Sequence, residues 1–308
     1  MNIINPQAPS SVVMIRPHHF LPNPQTLADN GFQSQQLPSS AASIAKAAYH
    51  EVSQAYEVLT SHGIKVHLFE DDSSTTPDSV FPNNWFSSHH GGQLAIYPMY
   101  AKNRRLERRA DIIAMLKQNY YVQHIIDYSG LEQDNIYLEG TGAMVLDHIE
   151  RVAYTVNSKR ANPQALASFC SHFNYQAMLF DASDNTGKAI YHSNVLMAIA
   201  SQFVLIAPEM ITQANKRDEI LQRLKRSGRE IITLTAQQIT QFCGNGIELQ
   251  GKHGALFVVS STAYNALSAQ QIATINQSAQ LVPINVSTIE LAGGSIRCML
   301  AGIHLSPR

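Results

Sequence analysis

The apolar positions of this chain change period again and again along its length. Ile44, Ala47, Ala48, Val52, Tyr56 and Leu59 keep helical spacing, Ser40 or Ser43 stands where a cap belongs, and Gly63 follows the last of them. A helix is therefore expected over AASIAKAAYHEVSQAYEVLTSHG. On either side, SVVMIRP and IKVHLFE shorten to strand-like runs. The alternation then returns. VFPNNWFSSHHGGQLAIYPM, the Arg-rich NRRLERRADIIAMLKQ and YYVQHIID form one unit of strands, helix and strand. IYLEGTGAMVLDHIERVAYTVN, NPQALASFCSHF and YQAMLF form the next, its helix opened by a cap and a first-turn proline at Asn162-Pro163. IYHSNVLMAIASQFVLIAPEMI, KRDEILQRLKRSG and REIITLT make a third, and GIELQGKHGALFVVS, SAQQIATINQSA and QLVPINV a fourth. The N-terminal unit is completed by the terminal ELAGGSIRCMLAGIHL.

A doubly wound parallel sheet shows one strand per helix, whereas here two or three strand-like runs separate successive helices. Asn84, Glu139, His192 and Asn245 recur at intervals of roughly 53 to 55 residues, a repeat period rather than a coincidence of composition. Five such units imply a closed α/β ring. No Pro-, Gly- or Ser-rich linker divides the chain, so one domain over residues 1–308 is expected, with DDSSTTPDS at 71–79 as a flexible loop.

Composition narrows the partners. With 308 residues, 44% hydrophobic and 15% charged, the chain is long enough to bury a large core. A formal net charge of -1 gives no broad basic field for nucleic acid and no polybasic anchor for lipid. The start, MNIINPQAPSS, has neither a positive region nor an apolar one, and no apolar run reaches the ~20 residues of a spanning helix, so a cytoplasmic protein is expected. Cys170, Cys243 and Cys298 are an odd count at wide spacing, which argues against a disulfide framework or a Cys-based zinc cluster. The doublets His18-His19 and His89-His90 fall in loop-like segments without metal-ligand spacing. Neither a metal nor a cofactor is expected.

Three repeat starts carry chemistry at the same phase, each beside small residues: Glu139 in YLEGTGAMVL, His192 in YHSNVLM and Cys298 in GGSIRCML. In a ring of repeats such equivalent positions converge. A thiolate is a nucleophile, an imidazole moves its proton, and a carboxylate orients the imidazole or activates water, a set suited to attack on a trigonal carbon. Cys170 and Cys243 read as packing residues.

YLEGTG, YHSNV and GGSIRCML resemble the motifs of the guanidino-group modifying superfamily, the five-bladed β/α propellers called penteins. That superfamily includes arginine deiminases, dimethylarginine dimethylaminohydrolases, succinylarginine dihydrolases and amidinotransferases. PDSVFPNNWFS, YPMYAKNRRLER, LEGTGAMVLD and GGSIRCMLAGIHL look most like its citrulline-utilisation hydrolase branch, and the similarity runs nearly the whole length of the chain. The resemblance implies that Cys298 attacks a guanidino or ureido carbon, that His192 protonates the departing nitrogen, and that Glu139 helps His192 activate water. It implies a carboxylate clamp at Arg160 in SKRANP, with Arg105 or Arg104 as second choice. Where deiminases hold a cationic guanidinium with aspartates, the matching places are Asn83 or Asn84 and Asn194, with Asp78 just upstream as an offset carboxylate. Neutral amides suit a ureido group better than a cation. The expected partner is a small guanidino or ureido amino acid, citrulline ahead of arginine or methylarginine, hydrolysed without a cofactor. The alternatives are arginine deimination, dimethylarginine hydrolysis and amidino transfer. A homodimer is also expected, as is common for soluble enzymes.

Overall fold

The computed structural model describes residues 6–308, so the first five residues of MNIINPQAPSS lie outside the described residues. Five three-stranded sheets account for the repeats. In the second to fifth they are Phe86–His89, Gln93–Ile96 and His124–Asp127; Met144–Asp147, Val152–Val156 and Gln176–Phe180; Met197–Ile199, Phe203–Ile206 and Glu230–Thr233; and Ile247–Gly251, Gly254–Ser260 and Gln280–Ile284. In each the middle strand pairs antiparallel with the first and parallel with the third. A parallel partner needs a crossover, and the helices Ala110–Asn119, Pro163–Phe173, Ala214–Arg226 and Ala269–Asn276 supply it.

The first sheet joins the chain's two ends. Ser11–Pro17 runs parallel to Lys65–Asp71 across the helix Ala41–Ser61, and antiparallel to the terminal Ala301–Gly302, with Val12 opposite Gly302 and Val13 opposite Ala301. Ser40 caps that helix by accepting from Ser43 N–H, and Gly63 leaves it at φ +86°. Burial falls outward within every sheet: Phe86–His89 and Met144–Asp147 are buried throughout, whereas Lys65–Asp71 and His124–Asp127 are half-buried to exposed. The five sheets are consistent with a pseudo-fivefold arrangement. Among the described residues no helix is long and apolar enough to cross a membrane.

Four local expectations are corrected. NRRLERRADIIAMLKQ is not one helix, because Lys102–Glu107 forms a 3₁₀ turn and the α-helix starts at Ala110. In a 3₁₀ turn residues i and i+3 eclipse, which lays the Arg104 guanidinium onto Glu107 and buries both. Cys298, within an apolar run that reads as strand-like in the sequence, lies instead on the helical turn Ile296–Met299 just before Ala301–Gly302. The segment 71–79 ends buried, Asp78 and Ser79 each being 3% exposed. His89 is no loop residue either. It closes the strand Phe86–His89, is 1% exposed, and sits 4.4 Å from the Phe173 ring with Nε2 2.7 Å from Ser87 Oγ.

Burial, reinforced by the charges of His304, Arg151 and His90, holds His89 well below its ordinary 6.5. It is thus neutral in the folded chain and protonated below about pH 6.5 in the unfolded one, so the unfolded state binds the extra proton and stability falls as pH falls. Each such histidine contributes a slope of about 1.4 kcal/mol per pH unit below that point. His89→Phe, which keeps an aromatic ring between Phe169 and Phe173, is expected to remove about one proton's worth of that slope. Urea melts between pH 7 and 5 check it, and an unchanged slope refutes it.

Candidate active site

Every chemically loaded position lies at most five residues ahead of an inner strand, on a short turn that enters it. Asn84 closes the 3₁₀ turn Pro82–Asn84, Glu139 precedes the helical turn Gly140–Ala143, and His192 precedes Ser193–Val195. Asn245 stands two residues before Ile247–Gly251, and Cys298 three before Ala301. Turns of this kind direct side chains along the strand axis rather than across the sheet. Asn84, His192 and Cys298 from these turns line one cavity, joined there by Asp78, Arg104 and Arg160 from the connecting segments.

Close approach there depends on glycine. A Cβ at Gly142 would overlap Asn84 Nδ2 and come within 2.8 Å of His192 Nδ1, and one at Gly293, where φ is +78°, would meet the Asn30 amide at 2.6 Å.

Glu139 is fully buried and is the hub. Its Oε2 lies 2.8 Å from His192 Nε2, 3.5 Å from Arg160 Nη1 and 3.7 Å from Arg104 Nη1, while Oε1 accepts from Tyr100 N–H at 2.9 Å. Burial works against its ionisation, but Arg160, His192 and Arg104 outweigh it and hold the carboxyl well below the usual range. Burial pushes His192 down to about 4, with Glu139 opposing. The two directions agree on one state near neutrality: an ionised Glu139 accepting Nε2–H from a neutral imidazole whose Nδ1 keeps its lone pair.

Cys298 is 3% exposed and its sulfur is not wrapped in hydrocarbon. Asn194 Nδ2 and Asn245 Nδ2 donate to Sγ at 3.2 and 3.3 Å, and Asn245 is itself fixed, donating to Asn194 C=O at 2.9 Å and accepting from Arg297 N–H at 3.1 Å. Burial pushes the other two thiols up, Cys170 to about 11 and Cys243 to about 12, and both lie outside the cavity.

The arginines are sorted differently from the sequence reading. Arg160 reaches the cavity, but its fork is already filled: Nε and Nη2 donate to Asp29 at 2.9 and 2.8 Å, and its guanidinium stacks 4.7 Å over Tyr191. Arg104 also reaches it, donating to Asn84 Oδ1 at 2.9 Å with Asp78 3.6 Å away. Arg105 does not. It points the other way, donating to Met99 C=O at 3.1 Å beside Glu132, because neighbours in a 3₁₀ turn face about a third of a circle apart. Asp78 is buried and accepts from Asn23 Nδ2 at 2.7 Å; burial, the largest cause, raises its pKa.

The family model described as N,N dimethylarginine dimethylhydrolase, eukaryotic, matches residues 16–305. The chain belongs to this family. It is therefore a guanidino-group hydrolase within the guanidino-modifying superfamily that its motifs resembled. Among solved structures it is similar to the substrate-bound N-terminal domain of ArgZ, an arginine dihydrolase of cyanobacteria. That match has TM-score 0.74 and 15% identity, and it covers 95% of this chain and 97% of that one. Unliganded AgrE matches with TM-score 0.75 and 16% identity over 97% of this chain and 40% of that one. A variant of the dimethylarginine hydrolase of Pseudomonas aeruginosa complexed with citrulline matches with TM-score 0.65 and 13% identity, over 96% and 100%. No curated protein matches the chain.

Sequence reasoning missed Asn245, Asp29, Glu107 and Asn23 as members of the site. Asn245 carried a signal, since it shares the phase of Glu139 and His192 in the fourth repeat. Asp29 and Asn23 sit in the irregular segment before Ala41 and carried none.

Arg105→Ala is expected to leave kcat/KM within about twofold, as for a half-exposed ion pair. Arg104→Ala leaves Glu107 and Glu139 short of a buried partner, which costs about 3 to 5 kcal/mol of stability and abolishes turnover. Denaturant midpoints and steady-state rates of the two variants decide it; equal losses in both overturn the assignment.

Proposed function

We propose that the chain hydrolyses the ureido or guanidino end of an arginine-derived amino acid through a covalent intermediate on Cys298, with citrulline as the favoured substrate. The observation that carries the ureido reading is Asn84. Arginine only donates, so the contact with Arg104 Nη1 identifies the bonded atom as Oδ1 and leaves Nδ2 as a buried donor without a partner on a residue that lines the cavity. A guanidinium has no acceptor to offer it. A ureido carbonyl has one, and the developing oxyanion of the addition step would strengthen that bond.

In this reading the neutral His192 accepts the thiol proton through Nδ1 as the sulfur–carbon bond forms, and Glu139 stabilises the resulting imidazolium. The imidazolium then returns the proton to the departing nitrogen as the carbon–nitrogen bond breaks, leaving an S-carbamoyl enzyme. Water, giving its proton to His192, releases the thiol and a carbamate that falls apart to carbon dioxide and ammonia. A covalently bound reaction intermediate in a variant of the ArgZ N-terminal domain supports the covalent course by likeness. The five sheets would form one closed propeller whose turns meet at the cavity, and residues 1–308 would form one catalytic domain.

A second reading, arginine as first substrate, is favoured by Asp78. A carboxyl whose burial makes ionisation costly regains it when a cation enters beside it.

Incubation with citrulline is expected to give ornithine and ammonia; citrulline accumulating from arginine instead makes the chain a deiminase. Cys298→Ser abolishes turnover, and Cys170→Ser and Cys243→Ser retain it. Asn84→Asp exchanges the donor for a carboxylate and is expected to lower kcat/KM for citrulline by roughly a hundredfold. A variant with unchanged citrulline turnover sinks the ureido assignment.

A further inference from the structure

A second cavity, with about 650 Å³ of empty space, opens where the five innermost strands approach one another; Ser88, Val145, Ala198, Glu248 and Gly302 bring one wall residue from each. The reaction proposed above uses none of these. Arg297 also lines this space. Its guanidinium donates from Nη1 to Leu300 C=O at 3.1 Å and has no carboxylate within ion-pair distance among the described residues.

The three buried arginines have their counter-charge: Arg104 has Glu107, Arg160 has Asp29, and Arg229 has Asp147 at 2.8 Å. Arg297, half-buried against this cavity, has none among the described residues, and a guanidinium that has lost part of its hydration gains from an anion that replaces it. Glu248, the acid in the cavity wall, is engaged elsewhere, accepting from Ser201 N–H and Oγ–H at 2.8 and 2.5 Å. Two further polar atoms at the same wall are buried without partners, His304 Nδ1 and Asn194 Oδ1.

We propose that this axial cavity is a binding site for a small oxyanion of the size of bicarbonate or phosphate, held by the guanidinium fork of Arg297 with His304 Nδ1 as a further donor. An oxyanion presents paired acceptor oxygens to the paired N–H groups of arginine and supplies the missing negative charge. His304 donates in the tautomer that carries its proton on Nδ1, for which it gives up its hydrogen bond to the Pro6 carbonyl. Burial brings Arg297 down to about 10 and, with His90 and the Arg297 charge, brings His304 down to about 3, so the imidazole is neutral and donates one proton. Asn194 stands at this wall while its Nδ2 donates to Cys298, so the anion lies one amide away from the nucleophile.

The test uses the full chain, with inorganic phosphate and bicarbonate as probes and chloride at matched ionic strength as control. Phosphate is expected to raise the midpoint of thermal unfolding along a saturating curve, as a ligand of the folded state does. Arg297→Gln loses that rise. Arg297→Lys, which keeps the charge but not the fork, remains folded and weakens the half-saturating concentration by about tenfold, and His304→Gln by several-fold. Crystals soaked in selenate are expected to show the anomalous scatterer beside Arg297. The proposal fails if chloride gives the same rise, if the Arg297 variants respond as the wild type does, or if selenate settles only elsewhere, the catalytic arginines included.

Discussion

One buried carboxylate carries the arrangement. Glu139 has no exposed surface, yet two guanidinium groups and an imidazole converge on its oxygens, and a backbone N–H completes the shell. None of the four partners is independent of the others. Remove the carboxylate and two cations are left buried without compensation; remove either arginine and the carboxylate is the orphan. His192 depends on it differently, because the acceptor on Nε2 decides which nitrogen holds the proton and leaves Nδ1 with its lone pair. The same contact that stabilises the site also selects the tautomer that the proposed chemistry at Cys298 uses.

Around the sulfur the physics is of another kind. Asn194 and Asn245 bring neutral N–H donors to Sγ, and the Asn245 amide is oriented by two further bonds, to the Asn194 carbonyl and from the Arg297 N–H. Neutral donors at the sulfur bring in no cation that would itself need a partner. The ionic groups cluster at Glu139 with its arginines, whereas the side-chain donors at the sulfur are neutral. Asn84 belongs to the first group, bonded to Arg104, with its Nδ2 beside His192 Nδ1 over Gly142.

The repeat was legible because its cause is local. Each sheet needs an inner strand, a tight return and a crossover helix, and those write alternating period two and period 3.6 into the sequence. The phase of Glu139, His192 and Cys298 within the repeat was legible for the same reason, and Asn245 would have been read from it had its neutral side chain attracted notice. The setting of the arginines was not. Arg104 and Arg105 are adjacent letters, and only the 3₁₀ geometry of Lys102–Glu107 sends one inward and the other to Met99. Nor did any pattern mark Asp29, which meets Arg160 across 131 positions from a segment without regular structure.

Asp29 bears on how an amino acid is held. The fork of Arg160 suits a carboxylate, and a carboxylate already fills it, supplied by the chain itself. The segment that carries Asp29 is tied to the site at two further points, Asn23 donating to Asp78 at 2.7 Å and Asn30 donating to the Ala292 carbonyl at 3.0 Å. An incoming α-carboxylate would reach Arg160 by exchanging with Asp29, so that the guanidinium stays paired throughout. The balance closes only if the displaced Asp29, whose side chain is 15% exposed, turns to water as the substrate enters, because left buried it would be the unpaired charge.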